Sequence, residues 1–253
     1  MIFSTAARHP VIYRYIGLLF FTCASAGARP LVITEDTGTP GDKKWEINTA
    51  WTYTRGSGAT DSTLPFVDVN YGIGARGQFK YEIGGLEHRA PDESTQRAIS
   101  DSLVGLKWRL REGEDYSISI FPQVQFQTPG SSARVKGLED NGVATSVPMQ
   151  VSTSIAGTAL DLEAGPVFHS GDDSRWCYGF AVSRAFSERL ELAIELRGEA
   201  LSGLNRNALS VNVGAHLKVV QNGGLLLLLG RDLGHSKAGG ATFTTYVGWQ
   251  LLR

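Results

Sequence analysis

The chain has 253 residues, with 24 Lys and Arg against 25 Asp and Glu, and this balance gives no reason to expect a nucleic-acid partner. Two cysteines exclude a disulfide-rich scaffold, and the longest purely aliphatic run, Leu225 to Leu229, is too short for a transmembrane helix. The 30 glycines leave two classes open, a soluble β-protein and a transmembrane β-barrel.

Residues 1–28 have the features of a cleaved export signal. Arg8 and Arg14 are basic, Tyr15 to Ala24 is mostly apolar, and Ala26 to Ala28 are small residues before the predicted cut. An uncut N-terminal anchor is the alternative. Without this segment 22 basic and 25 acidic residues remain, a net charge of −3. Residues 29–42, rich in Thr, Gly, Pro and Asp, are predicted to form a periplasmic lead-in, and residues 43–253 a barrel.

From Lys44 onward, apolar and polar residues alternate with a period of two, which is typical of strands. The predicted strands are 44–54, 67–71, 79–83, 101–110, 116–127, 143–154, 160–169, 176–186, 190–200, 209–218, 225–229 and 243–251. Two long loops are predicted, Gly84 to Ala98 and Thr128 to Asn141. Pro122, Pro148 and Pro166 interrupt three strands, which indicates bulges or misplaced boundaries.

The segment Trp176 to Ala200 favours the membrane. Its second half alternates Leu190, Leu192, Ile194 and Leu196 with Glu191, Ala193, Glu195 and Arg197. A charged face opposite an unbroken aliphatic face does not fit a sheet buried on both sides, but it fits a wall between lipid and a polar lumen. The sequence therefore predicts an all-β fold, a transmembrane antiparallel up-and-down barrel of about twelve strands.

Two further regularities support a barrel. Connections after even-numbered strands are short, whereas those after odd-numbered strands include the two longest, as in outer-membrane barrels. Aromatic residues on the predicted lipid face fall near the strand ends and form two expected girdles. The outer girdle would contain Trp51, Tyr53, Phe126, Phe168, Trp176, Tyr178 and Phe243, and the periplasmic girdle Trp45, Tyr71, Trp108, Tyr116, Phe186 and Trp249.

Ionisable side chains recur in the inward phase of most strands. The predicted lumen-lining residues are Glu46, Asp68, Lys80, Glu82, Asp101, Lys107, Arg109, Glu163, Glu191, Glu195, Arg197, Glu199, His216 and Lys218. They would line a narrow aqueous path, or they would pair across strands and hold a small lumen shut. Their mixed signs argue against a strongly ion-selective pore.

No catalytic residue, metal site or cofactor is predicted. His169 and Ser170 are neighbours in a strand and would point to opposite faces, a poor arrangement for a nucleophile and its base. The histidines lack metal-ligand spacing, and Asp172-Asp173 is interpreted as a solvated loop tip.

Three segments resemble a known family. The segment Arg29 to Gly41 followed by Trp45 to Asn48, the segment Asp101 to Trp108, and the segment Thr128 to Ser132 are similar to outer-membrane proteins classed with the meta-pathway of phenol degradation. The resemblance covers nearly all of the mature chain. It implies an outer-membrane barrel that transports aromatic or other small molecules. Arg253 stands where such barrels usually end in an aromatic residue.

Together these observations predict a channel or transporter in the bacterial outer membrane that passes small molecules, with aromatic molecules as one expected class, without covalent chemistry. Its expected partners are outer-membrane lipid and lipopolysaccharide, a small-molecule solute and the barrel-assembly machinery, with no nucleic acid. The alternative is a closed structural or surface-binding barrel whose external loops contact a partner.

Overall fold

The computed structural model describes residues 33–56, 58–170, 174–201, 207–233 and 243–253. The predicted export signal, residues 1–28, lies outside this part of the chain. Among the described residues no helix is long and apolar enough to cross a membrane.

The described chain forms fifteen strand segments. They are β1 (Trp45–Gly56), β2 (Ala59–Ile73), β3 (Gly77–Arg89), β4 (Thr95–Ile99), β5 (Ser102–Glu112), β6 (Tyr116–Ile120), β7 (Gln123–Phe126), β8 (Ala144–Ser146), β9 (Met149–Ile155), β10 (Thr158–His169), β11 (Arg175–Ala185), β12 (Leu190–Leu201), β13 (Asn207–Val220), β14 (Gly223–Asp232) and β15 (Phe243–Leu252).

These segments make a closed antiparallel barrel of twelve strands. The pairs β4/β5, β6/β7 and β8/β9 each form one interrupted strand, and β1 pairs with β15 from Glu46↔Leu252 to Arg55↔Phe243 to close the sheet. Closure leaves no free sheet edge, which a lipid environment requires. The predicted fold class and strand number are confirmed.

Alternation along the strands places polar residues inside and aliphatic residues outside. In β12, Glu191, Ala193 and Glu195 are buried, whereas Ile194 between them is 59% exposed. An exposed aliphatic face on a closed barrel is stable in lipid but not in water. The barrel and its apolar exterior therefore place the chain in the bacterial outer membrane.

Both ends of the barrel chain meet at one rim, where the Trp45 amide donates to the Arg253 carbonyl at 2.7 Å. The short turns after β2, β5, β9, β11 and β13 lie at the same rim, which is the periplasmic one by the general pattern of such barrels.

Two of the three prolines interrupt the wall. Pro122 separates β6 from β7 and Pro148 separates β8 from β9, because proline has no amide hydrogen for the ladder. The breaks are still bridged, since the Phe121 amide donates to the Pro148 carbonyl at 2.9 Å. Pro166, by contrast, lies inside continuous β10 opposite Trp176.

The prediction of a long loop from Gly84 to Ala98 is wrong. β3 continues to Arg89 and β4 begins at Thr95, so only a tight turn separates them. The sequence does not show this extension, because it lies beyond the apolar band, where neither face needs to be hydrophobic and the alternation disappears. The second loop, Thr128 to Asn141, is confirmed as a segment without strands.

Candidate functional site

Residues 33–42, here called the plug, run across the inside of the barrel. The structure thus places within the lumen a segment for which the sequence predicted only a periplasmic position. At its C-terminal end the plug joins the periplasmic rim, where the Lys43 amide donates to the Gly72 carbonyl at 3.0 Å.

Inward-facing side chains satisfy the backbone of the plug. The Glu195 carboxylate accepts the amides of Ile33 and Thr34, and Glu163 Oε2 accepts the Glu35 amide at 3.1 Å. On the opposite wall, Arg109 Nε donates to the Thr37 carbonyl at 3.1 Å. Buried backbone groups need such partners, so these contacts replace the strand pairing that the plug lacks.

Glu35 is the electrostatic centre of the plug. Its two carboxylate oxygens lie 2.6 Å from Lys80 Nζ and 2.8 Å from Lys107 Nζ. The Lys107 side chain is completely buried, and its Nζ also donates to the Asp36 carbonyl at 2.9 Å. Burial opposes ionisation of Glu35, but the charges and hydrogen bonds of Lys107 and Lys80 outweigh it and hold the pKa of Glu35 well below its usual range.

Two glycines give the plug the space it occupies. A Cβ on Gly179 would lie 2.1 Å from Thr34 Oγ1, and a Cβ on Gly72 would lie 1.7 Å from the Gly41 carbonyl oxygen. Any larger residue at either position would displace the plug.

The structure buries eight of the predicted lumen-lining residues. These are Glu46, Asp68, Lys80, Asp101, Lys107, Glu163, Glu191 and Glu195. Lys80, Lys107, Glu163 and Glu195 meet at the plug, together with the half-buried Arg109. Arg197 Nη1 lies 2.8 Å from Glu163 Oε1, and Lys80 Nζ lies 2.8 Å from Glu82 Oε1. The lumen around the plug therefore contains paired charges of both signs.

The remaining predicted lumen residues lie away from the plug contacts. Asp101 is held by Arg134 of the loop between β7 and β8. Glu199, with a side chain 49% exposed, lies 3.6 Å from Arg175 near the outer rim. Glu191 accepts from Ser183 at 3.1 Å, whereas His216 is half-buried and Lys218 is exposed on β13.

Neutral amides complete the interior and were not among the predicted site residues. The Asn48 amide donates to Glu46 at 3.2 Å and to Asp68 at 3.1 Å, and Asn70 donates to Asp68 at 3.0 Å. The Gln78 side-chain amide in turn donates a hydrogen bond to Asn70 Oδ1 at 2.6 Å. These residues share the inward phase of the chosen carboxylates, so the alternation contained the signal. The plug residues had no such periodic signal.

One aromatic residue, Phe121, is fully buried inside the barrel, and no alternation marked it because it lies at the break between β6 and β7. Its ring centroid is 4.9 Å from Lys107 Nζ and 5.8 Å from Lys80 Nζ. It thus packs against both cations that hold Glu35.

Two cavities flank the plug. The first, of about 290 Å³, is lined by Asp36, Thr37 and the periplasmic turn that contains Glu114. The second, of about 270 Å³, lies between the N-terminal end of the plug and the walls formed by β1, β2, β3, β14 and β15. Neither of these two cavities contains lining from both the periplasmic turn at Glu114 and the outer part of β15 at Thr244.

The predicted girdle aromatics lie on the outer surface of the barrel. Exposed members are Trp45, Trp51, Trp108, Phe168, Trp176, Phe186, Phe243 and Trp249, and half-buried members are Tyr53, Tyr71, Tyr116, Phe126 and Tyr178. Neighbouring members pack together, with ring centroids 4.5 Å apart for Trp45 and Tyr71 and 5.7 Å apart for Trp51 and Tyr53.

Ser170, which was considered as a nucleophile, makes a structural hydrogen bond. Ser170 Oγ accepts the Val143 amide at 2.7 Å, which ties β10 to the loop before β8. Within the described part of the chain, no group of three or more His, Cys, Asp or Glu side chains could hold a metal ion. Asp172 and Asp173 lie outside the described residues.

No protein-family model and no curated protein sequence matches the chain. Solved structures do match its fold. An outer membrane channel from Pseudomonas putida F1 is similar over 84% of this chain and 96% of its own, with a TM-score of 0.66 and 13% identity. The NanC porin is similar over 81% of this chain and 98% of its own, with a TM-score of 0.60 and 9% identity. The KdgM porin is similar over the same shares of the two chains, with a TM-score of 0.57 and 10% identity. At these identities the likeness establishes the barrel fold.

Proposed function

We propose that the protein is an outer-membrane channel for small molecules, and that the plug closes its lumen until it is displaced. The observation that carries the proposal is the binding of Glu35 between Lys80 and Lys107 in the middle of a polar lumen. A barrel that served only as a scaffold could fill its lumen with wall side chains, whereas a separate segment held by polar contacts can move as a unit.

The contacts that hold the plug suit reversible closure. They are hydrogen bonds and ion pairs between the plug and the walls, and polar groups released from them can be taken over by water or by a polar solute. Similar porins and channels share the barrel fold, and the resemblance to outer-membrane proteins classed with phenol degradation supports small aromatic molecules as one class of solute. Permeation of this kind needs no covalent step.

Uptake into proteoliposomes tests this function. We would compare L-phenylalanine with L-leucine, which are both zwitterionic, in the full chain and in Glu195→Gln, which weakens the acceptor of the Ile33 and Thr34 amides. We expect Glu195→Gln to raise uptake several-fold, with phenylalanine favoured. The matched control is Glu191→Gln on the same face of β12, whose carboxylate accepts from Ser183 instead.

A closed structural or surface-binding barrel is the second candidate, and the occupied lumen is the observation that favours it. The loop from Thr128 to Asn141 would then be the contact surface, since it is held in place by Arg134 on Asp101. Uptake no higher than in protein-free liposomes, from folded samples of all three proteins, would reject the channel and leave this candidate.

A further inference from the structure

The second cavity, between the plug and β1, β2, β3, β14 and β15, is lined by more carboxyl groups than basic side chains. Four carboxylates line it, those of Glu35, Glu46, Asp68 and Glu82, and Lys80 is the one positively charged side chain among the described residues that line it. Lys80 Nζ is shared by three of the four, at 2.6 Å from Glu35, 2.8 Å from Glu82 and 3.8 Å from Asp68.

Glu46 is the one of these four carboxylates that forms no ion pair with Lys80. Its side chain is 1% exposed, and its Oε1 accepts the Asn48 amide at 3.2 Å. Its Oε2 is buried and has no hydrogen-bond partner among the described residues. A buried carboxylate oxygen without a partner is costly, so a donor that enters the cavity would be bound there.

The plug forms the other side of the cavity. Thr34 is 3% exposed, and its hydroxyl lies against Gly179 of β11, away from the walls of this cavity. Thr34 and Glu46 both line the cavity, from the plug and from the wall respectively. Glu46 Oε2 is therefore the unused acceptor beside the cavity.

The other walls are apolar and aromatic. Ile33, Phe66, Leu228 and Tyr246 line the cavity, and the rings of Phe66 and Tyr246 meet edge to face with centroids 6.5 Å apart. Aromatic faces favour a cation, and a largely apolar cavity with a few polar groups is the usual form of a small-molecule site.

We infer that this cavity binds a small organic ammonium ion with an apolar group, its ammonium donating to Glu46 Oε2 and its apolar part against Phe66 and Leu228. An organic cation fits better than a metal ion, because the carboxylates do not converge as a metal-ligand set in the described residues and much of the wall is apolar. The inference rests on the proposed channel function for the route by which the ligand enters, but binding is measured without flux.

Calorimetric titration of the refolded full chain in detergent tests the inference, with titrations into empty micelles subtracted. The probes are phenethylammonium, the uncharged 2-phenylethanol and the anionic 3-phenylpropionate, which share a phenyl group and differ in charge. We expect saturable binding of phenethylammonium, and affinity for the other two at least about tenfold lower, as for loss of a hydrogen bond between charged groups.

Variants locate the site. Glu46→Gln should weaken phenethylammonium binding by about tenfold or more, whereas Glu191→Gln, outside the cavity, should leave it unchanged. If Glu46→Gln fails to fold, Asp68→Asn replaces it with the same expected direction.

Equal affinity for the three probes, no saturable binding of the ammonium, or unchanged binding in the folded cavity variants would overturn the inference. Ammonium binding together with absent solute uptake would instead reject the channel and retain the binding site.

Discussion

At the scale of residues, the molecule depends on one carboxylate between two cations. Glu35 lies on the plug, and Lys80 and Lys107 lie on β3 and β5, so their contacts join three parts of the chain that are distant in sequence. The Lys107 side chain is completely buried, and a buried cation must be paired to be tolerated. Glu35 therefore stabilises the wall as well as the plug.

Glu35→Gln should lower the free energy of unfolding by about 2–4 kcal/mol, because it leaves two buried ammonium groups with fewer counter-charges. Guanidinium unfolding, followed by tryptophan fluorescence, measures the change. The matched control is Glu93→Gln at the exposed β3–β4 turn, where the ion pair with Arg89 is solvated and its loss should cost less than about 0.5 kcal/mol. Equal effects in the two variants would contradict the role of Glu35.

The pH dependence of this contribution follows from the lowered pKa of Glu35. A carboxyl group whose folded pKa lies below its ordinary value of 4.5 stabilises the fold fully above that value, and the contribution is lost as the pH falls toward the folded pKa. The stability difference between wild type and Glu35→Gln should thus shrink as the pH falls below about 4.5. Unfolding curves at and below neutral pH measure it, and a difference that stays unchanged below about pH 4.5 would contradict the assignment.

At the scale of elements, the strands extend well past the membrane on one side. β2 has 15 residues and β3 has 13, more than the roughly 9–11 that cross the apolar band. Their outer parts are polar on both faces. The tip between β3 and β4 therefore projects from the barrel at the rim opposite the chain ends.

An epitope inserted between Asp92 and Glu93 should be accessible to antibody on intact cells, because this tip is predicted to lie on the external side. The same epitope inserted between Gly113 and Glu114 should be reached only after the outer membrane is permeabilised, since that turn lies at the rim of the termini. Flow cytometry of intact and permeabilised cells distinguishes the two. Labelling in the reverse pattern would show that the barrel is inverted relative to this account.

At the scale of the whole molecule, the barrel was predictable from sequence and the plug was not. The alternation of apolar and polar residues over Trp45 to Tyr53 and Leu190 to Arg197 predicts which face of each strand meets lipid, because successive strand residues point to opposite faces of the sheet. The plug has no such period, and its position depends on contacts with Glu195, Lys107 and Lys80, which are far away in the chain. Glycines such as Gly179 make room for it, but a sequence does not show what approaches a glycine.

Single-channel conductance in planar bilayers tests the closed-channel account most directly. The chain beginning at Arg29 would be compared with a chain beginning at Gly41, which lacks most of the plug, after both are shown to fold by heat-dependent gel migration. We predict rare or no steps from the longer chain and frequent discrete steps from the shorter one. Silence from a correctly folded shorter chain, or equal conductance from both, would contradict the proposal that the plug closes a channel.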